Sequence, residues 1–126
     1  MNYERIATEE AFATADLFDC YRQIIVEKSV EDPGFYSLWG HYLLDQSERP
    51  LEVRRKLLDL DDERIADMDA TGISRQIISL TAPGVQILDT ATAVSVAASA
   101  NDQLAEAVTR HPDRYSALAA MAPQDP

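Results

Sequence analysis

From Asp16 onward, Leu17, Cys20, Tyr21 and Ile24 recur at intervals of three and four, the spacing that gathers side chains on one face of an α-helix. That helix is predicted to close before Asp32-Pro33-Gly34. Ahead of it, Arg5-Ile6-Ala7-Thr8-Glu9 is a short candidate strand ending near Glu9, because Glu10-Ala11-Phe12-Ala13-Thr14 breaks any simple alternation. Phe35-Tyr36-Ser37-Leu38-Trp39-Gly40-His41-Tyr42 holds four aromatics within eight residues, with glycine at both borders, and reads as a shaped loop. A second stripe of Val53, Leu57, Leu60, Arg64 or Ile65, and Met68 starts at Pro50, whose missing N–H is harmless in a first helical turn. Asp59, Asp61, Asp62 and Glu63 then face water, and Gly72 supplies a left-handed C-cap onto which Ile73 folds.

Arg75-Gln76-Ile77-Ile78-Ser79-Leu80 is the second predicted strand, with β-branched residues at its centre and Thr81-Ala82-Pro83-Gly84 as its stop. A helix opens at Asp89 or Thr90, both good N-caps, and buries Val94, Ala97, Asn101, Leu104, Ala105 and Val108 until Pro112 forbids its continuation. Tyr115 to Met121 is a third strand candidate. Strand, helix, strand, helix, strand is the signature of βαβ units, whose right-handed crossovers build a parallel sheet with helices outside. Three strands close nothing. A (β/α)8 barrel takes about 250 residues, so barrel material of this length would be its first three βα units, an incomplete barrel within one domain over residues 1–126.

The 126 residues, 46% of them hydrophobic, can fill a core. A formal charge of −11 excludes a phosphate-seeking surface, since nucleic acid and anionic membranes both demand clustered Lys and Arg. The lone Cys20 excludes an internal disulfide framework and a cysteine-rich zinc module, and fits a reducing compartment. No basic n-region leads into an apolar h-region at the start, and no apolar run approaches the roughly 20 residues that span a bilayer. The expected address is cytoplasmic.

In parallel sheets, ligands sit at the carboxyl ends of the strands. Glu9 and Glu10, Thr81 to Gln86, and Pro123 to Asp125 are therefore the candidate site positions. A carboxylate emerging there suits a divalent cation, because a hard cation prefers oxygen ligands and offsets the carboxylate's desolvation. A solvated glutamate is the plainer alternative. Thr81, Pro83 and Gln86 are placed to shape a substrate. His41 has no second histidine nearby, and His111 at a helix end favours the dipole, so both read as structural. Cys20 reads as a small core residue and Asn101 as a buried scaffold amide. Asp59 to Glu63 lacks the glycine and terminal glutamate of a calcium loop.

The segments Arg5 to Thr14, Ser37-Leu38-Trp39-Gly40, Arg64 to Ile73, Leu80 to Gln86, Ala100-Asn101-Asp102, His111-Pro112-Asp113-Arg114 and Ala122 to Pro126 resemble the opening third of the amidohydrolase-related decarboxylases. The resemblance runs through nearly the whole chain and is nearest to the 5-carboxyvanillate branch, which belongs to lignin degradation. It implies a distorted TIM barrel with one divalent metal, manganese or alternatively zinc, and non-oxidative loss of carbon dioxide from a phenolic acid. The family's first strand carries His or Glu, any residue, then His. Glu9 matches its first position as metal ligand, whereas Ala11 stands where the second ligand would be, a pairing that resembles the carboxyvanillate branch rather than the γ-resorcylate branch.

The same resemblance makes Arg49 the arginine that salt-bridges an aromatic acid, often across a subunit contact, and implies a homo-oligomer at full length. With a net charge of −11, a guanidinium fork would also draw in a carboxylate. The later metal ligands, a histidine and an aspartate, and the aspartate that protonates the ring have no counterpart within these residues. The aromatic cluster at Phe35, Tyr36, Trp39 and Tyr42 is open between a ring pocket, a dimer contact and core packing. Two other readings stand beside the decarboxylase. One is a hydrolase or hydratase on the same scaffold, since a barrel does not choose a reaction. The other is a non-catalytic α/β interaction module.

Overall fold

Residues 3–126 are described by a computed structural model, in which eight elements follow one another. They are β1 (Ile6–Phe12), α1 (Ala15–Glu27), α2 (Pro33–Leu44), α3 (Glu48–Leu58), α4 (Asp62–Thr71), β2 (Arg75–Leu80), α5 (Thr90–Arg110) and β3 (Tyr115–Ala117). The strands form one parallel sheet in the order β1-β2-β3, as the alternation of strand and helix predicts. No helix among the described residues is long and apolar enough to cross a membrane.

Two apolar clusters carry the packing. Phe12, Ile78 and Tyr115 from the three strands meet Leu60, Met68, Ala100, Leu104 and Ala107 on one side of the sheet. The second cluster joins α1, α2 and the first turns of α5 through Leu17, Phe18, Tyr21, Phe35, Trp39, Val96 and Ala97. Thr14 caps α1 by accepting from the Leu17 amide at 3.2 Å, and Asp89 caps α5 by accepting from Thr92 N at 3.1 Å. Gly72 closes α4 at φ 72°, with Ile73 N donating to Met68 O at 2.9 Å.

Several expectations change. The third strand is shorter than the expected Tyr115 to Met121 and ends at Ala117. The aromatic segment is helix α2, not a loop: Asp32 Oδ1 accepts from Phe35 N at 3.0 Å, Pro33 occupies the first turn, and Phe35, Trp39 and Leu43 are buried at helical spacing. The stripe from Pro50 to Gly72 is two helices. Asp59 breaks it by taking backbone donors into its own carboxylate, Arg64 N at 2.7 Å and Asp61 N at 3.4 Å, the competition that short acidic side chains offer a helix. Helix α3 also starts before Pro50, which still lies among the first N–H positions that have no intrahelical partner. Finally, α5 is rotated from the expected face: Ala93, Val96, Ala97, Ala100, Leu104 and Ala107 are buried, whereas Val94 is 40% exposed and Ala105 lies in solvent. Ala100 and Ala107 pack with the strand residues Phe12, Ile78 and Tyr115, whereas Ala93 and Ala97 join the cluster of α1 and α2.

Asp61 joins the start of α4 to the end of α5. Its carboxylate accepts from Arg110 Nε at 2.9 Å and Nη2 at 3.1 Å, and lies 2.8 Å from His111 Nε2. The Arg110 bonds first, then His111, hold its pKa below the usual aspartate value. A depressed folded pKa stabilises the fold above the unfolded value and loses that contribution as pH falls through the folded one. The stability gap between wild type and Asp61→Asn should therefore be full at neutral pH, at most about 1 kcal/mol for so exposed a pair, and should shrink progressively below about pH 4. Urea titrations at several pH values measure it; a gap that does not vary with pH refutes this role.

Candidate functional site

β1 runs three residues past Glu9, to Phe12, so the expected strand end is too early. Its pairing with β2 shifts register between Ala7 and Glu10, an irregularity that re-aims the side chains around it. Beyond the shift, Glu10 lies opposite Ile78, Ala11 opposite Ser79 and Phe12 opposite Leu80. Ile78 and Phe12 are buried against the helices, which puts Glu10 on the helix side. Alternation then places Glu9 and Ala11 on the face opposite the core.

This geometry separates two glutamates that composition cannot tell apart. Glu10 Oε2 accepts from Gln76 Nε2 at 3.4 Å, and Gln76 Oε1 accepts from Arg64 Nη1 at 3.3 Å, so Glu10 is tied into a buried polar chain. The Glu9 carboxylate is exposed and engages no hydrogen bond among the described residues. It is a free hard-oxygen donor suited to a divalent cation. Among the described residues no group of three His, Cys, Asp or Glu side chains forms a metal cluster, so Glu9 contributes at most one corner of a coordination shell.

Thr81 stands directly after β2, where the sequence places it, and its N–H donates to Phe12 O at 2.8 Å. The two strands therefore share one carboxyl-end mouth. From there the chain loops to Leu88 through the cis Ala82–Pro83 peptide, with Gly84 N returning to Thr81 O at 2.8 Å. Tyr21 on α1 donates its hydroxyl to Gly84 O at 2.7 Å, and burial holds that phenol above its usual pKa, so it stays a donor. Gln124, beyond β3, donates Nε2 to the carbonyls of Val85 at 2.8 Å, Leu88 at 2.9 Å and Gln86 at 3.2 Å.

Arg49 is brought elsewhere. It lies on α3 with its side chain 77% exposed, 3.8 Å from Glu52, and borders a groove of about 600 Å3 between α3, α4 and β1 that Glu10, Lys56, Arg64 and Gln76 also line. That groove is on the helix side of the sheet, so a single chain does not join Arg49 to Glu9. The aromatic cluster packs the seam between α1 and α2, with Trp39 centred 5.8 Å from Phe18 and 5.2 Å from Tyr21, and Tyr21 edge-on to Phe35 at 5.1 Å. His41 pairs with Asp45 at 3.4 Å, and His111 with Asp61. Burial first, then Asp16, Asp19 and Asp89, raises the Cys20 thiol's pKa and leaves it a poor nucleophile. Asn101 is partly buried, and its amide exchanges two bonds with the backbone of Ala120, at 2.7 and 3.0 Å, the scaffold role its position suggests.

The sequence places Gln124 among the candidate positions at the carboxyl ends of the strands but does not show what it binds, and it does not point to Tyr21 or Arg64 as a framework for this mouth. For Gln124 the available signal was its setting between Pro123 and Asp125-Pro126.

No family model matches the chain. Among curated proteins, γ-resorcylate decarboxylase of Polaromonas sp. is 47% identical over 123 residues, which cover 97% of this chain and 32% of that enzyme. The crystal structure of 5-carboxyvanillate decarboxylase from Novosphingobium aromaticivorans, complexed with manganese and 4-hydroxy-3-methoxy-5-nitrobenzoic acid, is 48% identical with a TM-score of 0.93 over 98% of this chain and 35% of that one. The homologues of this chain are thus decarboxylases. A dihydroxybenzoic acid decarboxylase from Polaromonas sp., with bound manganese and 2-nitroresorcinol, is 36% identical at a TM-score of 0.66 over 97% of this chain and 31% of that one. The structural neighbours are TIM-barrel enzymes, and the chain spans 23–32% of the length of the curated relatives it matches.

Proposed function

We propose that residues 1–126 are the first three strands of an amidohydrolase-type barrel whose complete polypeptide decarboxylates a phenolic acid without oxidation, in the manner of 5-carboxyvanillate to vanillate. One observation carries this reading: an uncommitted carboxylate, Glu9, followed on the same face by Ala11, near the carboxyl end of β1. The backbone favours the carboxyvanillate branch, with a TM-score of 0.93 against 0.66 for the dihydroxybenzoate enzyme at nearly equal coverage.

Expelling carbon dioxide directly from an aromatic ring would leave an aryl carbanion. The ring carbon is therefore protonated first, and the dearomatised intermediate releases carbon dioxide as the ring recovers its aromaticity. A divalent cation, when bound, supplies Lewis acidity toward the phenolate and carboxylate oxygens. Glu9 is the residue of this chain that would hold it. Thr81 lines the mouth where the ring would lie, and Arg49, exposed on α3, would reach the substrate carboxylate of a neighbouring subunit in a homo-oligomer. The proton donor and the remaining ligands belong to later strands.

The test is vanillate formation from 5-carboxyvanillate with manganese, by the complete polypeptide in which residues 1–126 occur and by the 126-residue chain alone. Turnover by the first and none by the second is the expected result. A complete polypeptide inert toward both 5-carboxyvanillate and 2,6-dihydroxybenzoate overturns the proposal.

A further inference from the structure

The loop from Thr81 to Leu88 leaves the carboxyl end of β2 and contains neither strand nor helix. A segment of this kind ordinarily satisfies its backbone with water and moves. Here its carbonyls are taken by side chains from two other parts of the fold: Gly84 O by Tyr21, and Val85, Gln86 and Leu88 O by Gln124. Val85 and Leu88 are buried, so the loop is also anchored from below.

The orientation of the Gln124 amide follows from its surroundings. Three carbonyl oxygens converge on one terminal atom, which must be the donor nitrogen, since the opposite orientation would set oxygen against three oxygens. The other terminal atom, Oε1, is buried with no partner among the described residues. A buried acceptor left unpaired is unfavourable. Gln124 bears it while its nitrogen spans three carbonyls, a task no hydroxyl or aliphatic side chain performs.

We propose that Gln124 is a positioning residue of the active site: it fixes the Thr81–Leu88 loop, and through it sets Thr81 against the substrate ring. Tyr21 holds the same loop at the adjoining residue, Gly84. This inference rests on the decarboxylase reading above for the word substrate, but not for the clamp itself.

Gln124→Met keeps the side-chain length and removes the donor; Tyr21→Phe removes only one hydroxyl. In the complete polypeptide, both should speed amide exchange at Gly84 and Leu88, by about tenfold or more for Gln124→Met, and leave the β1–β2 ladder protected. In turnover, Gln124→Met should raise KM for 5-carboxyvanillate about tenfold without weakening manganese binding, because a displaced loop misplaces the ring. A merely structural role would instead lower the active fraction, and hence kcat, at unchanged KM. Unchanged loop exchange in either soluble variant overturns the clamp. Faster exchange with unchanged KM overturns the positioning role. If the wild type turns over no aromatic acid, the decarboxylase reading and the positioning role fall together, while the exchange data still decide the clamp. Should Gln124→Met not fold, Tyr21→Phe carries the same comparison.

Discussion

Replacing Glu9 with alanine in the complete polypeptide should abolish manganese-supported decarboxylation. Residues that merely orient a metal ligand cost about 10–100-fold in affinity or activity when changed, so removing a ligand itself should exceed about 100-fold. The loss has no local remedy, because the next side chain on that face of β1 is Ala11, a methyl group. Glu10→Gln is the informative companion. Glu10 points to the helices and accepts from Gln76, a bond that an amide oxygen also accepts, so this variant should retain its manganese. Metal content of the purified proteins and vanillate formation measure both. A Glu9→Ala enzyme with full manganese and full turnover would mean that the free carboxylate is only a solvated side chain.

How far this site was legible in the sequence depends on which forces act locally. β2, α1 and the cap at Gly72 follow from β-branched residues, a three-and-four stripe and a left-handed glycine, all short-range signals, and the structure agrees with them. Thr81 likewise falls at the strand mouth because a strand and its stop are local features. Helix α2 was missed because Gly34 and Gly40 argue for a loop in isolation, whereas burial of Phe35, Trp39 and Leu43 against α1 and a capping Asp32 outweigh their propensity. The end of β1 was misplaced because its register shift breaks alternation where the strand in fact continues. The family resemblance selects Glu9 over Glu10, but why Glu9 is the one left free was beyond sequence, since it depends on Gln76, sixty-six residues from Glu10. The clamp on the Thr81 loop is equally non-local: its donors come from α1 and from the stretch after β3.

Arg64→Met should be the most destabilising single substitution among the polar residues of the chain. The guanidinium is buried, and burial lowers its pKa, opposed by Tyr115, Glu10, Asp59 and Asp67. It forms no ion pair within salt-bridge distance among the described residues; instead it donates to four oxygens. These are Asp59 O at 2.8 Å, Ala11 O at 2.9 Å, Lys56 O at 3.2 Å and Gln76 Oε1 at 3.3 Å. Three are main-chain groups at the end of α3, at the break before α4 and near the end of β1, so one side chain closes the joint between two helices and the strand that carries Glu9. Methionine fills similar volume but leaves those acceptors dry and unpaired. With about 1–3 kcal/mol for each buried acceptor stranded, partly relieved by relaxation and entering water, a net loss of about 3–5 kcal/mol is expected. Arg64→Lys should recover little, because one ammonium cannot reproduce a fork directed at four separated oxygens. Urea unfolding of the complete polypeptide measures the change; a loss below about 1 kcal/mol would show that water replaces the guanidinium without penalty. Ala11 O lies two residues from Glu9 on the same strand, so the substitution should also weaken manganese binding in the protein that remains folded, by loosening the backbone from which the carboxylate projects.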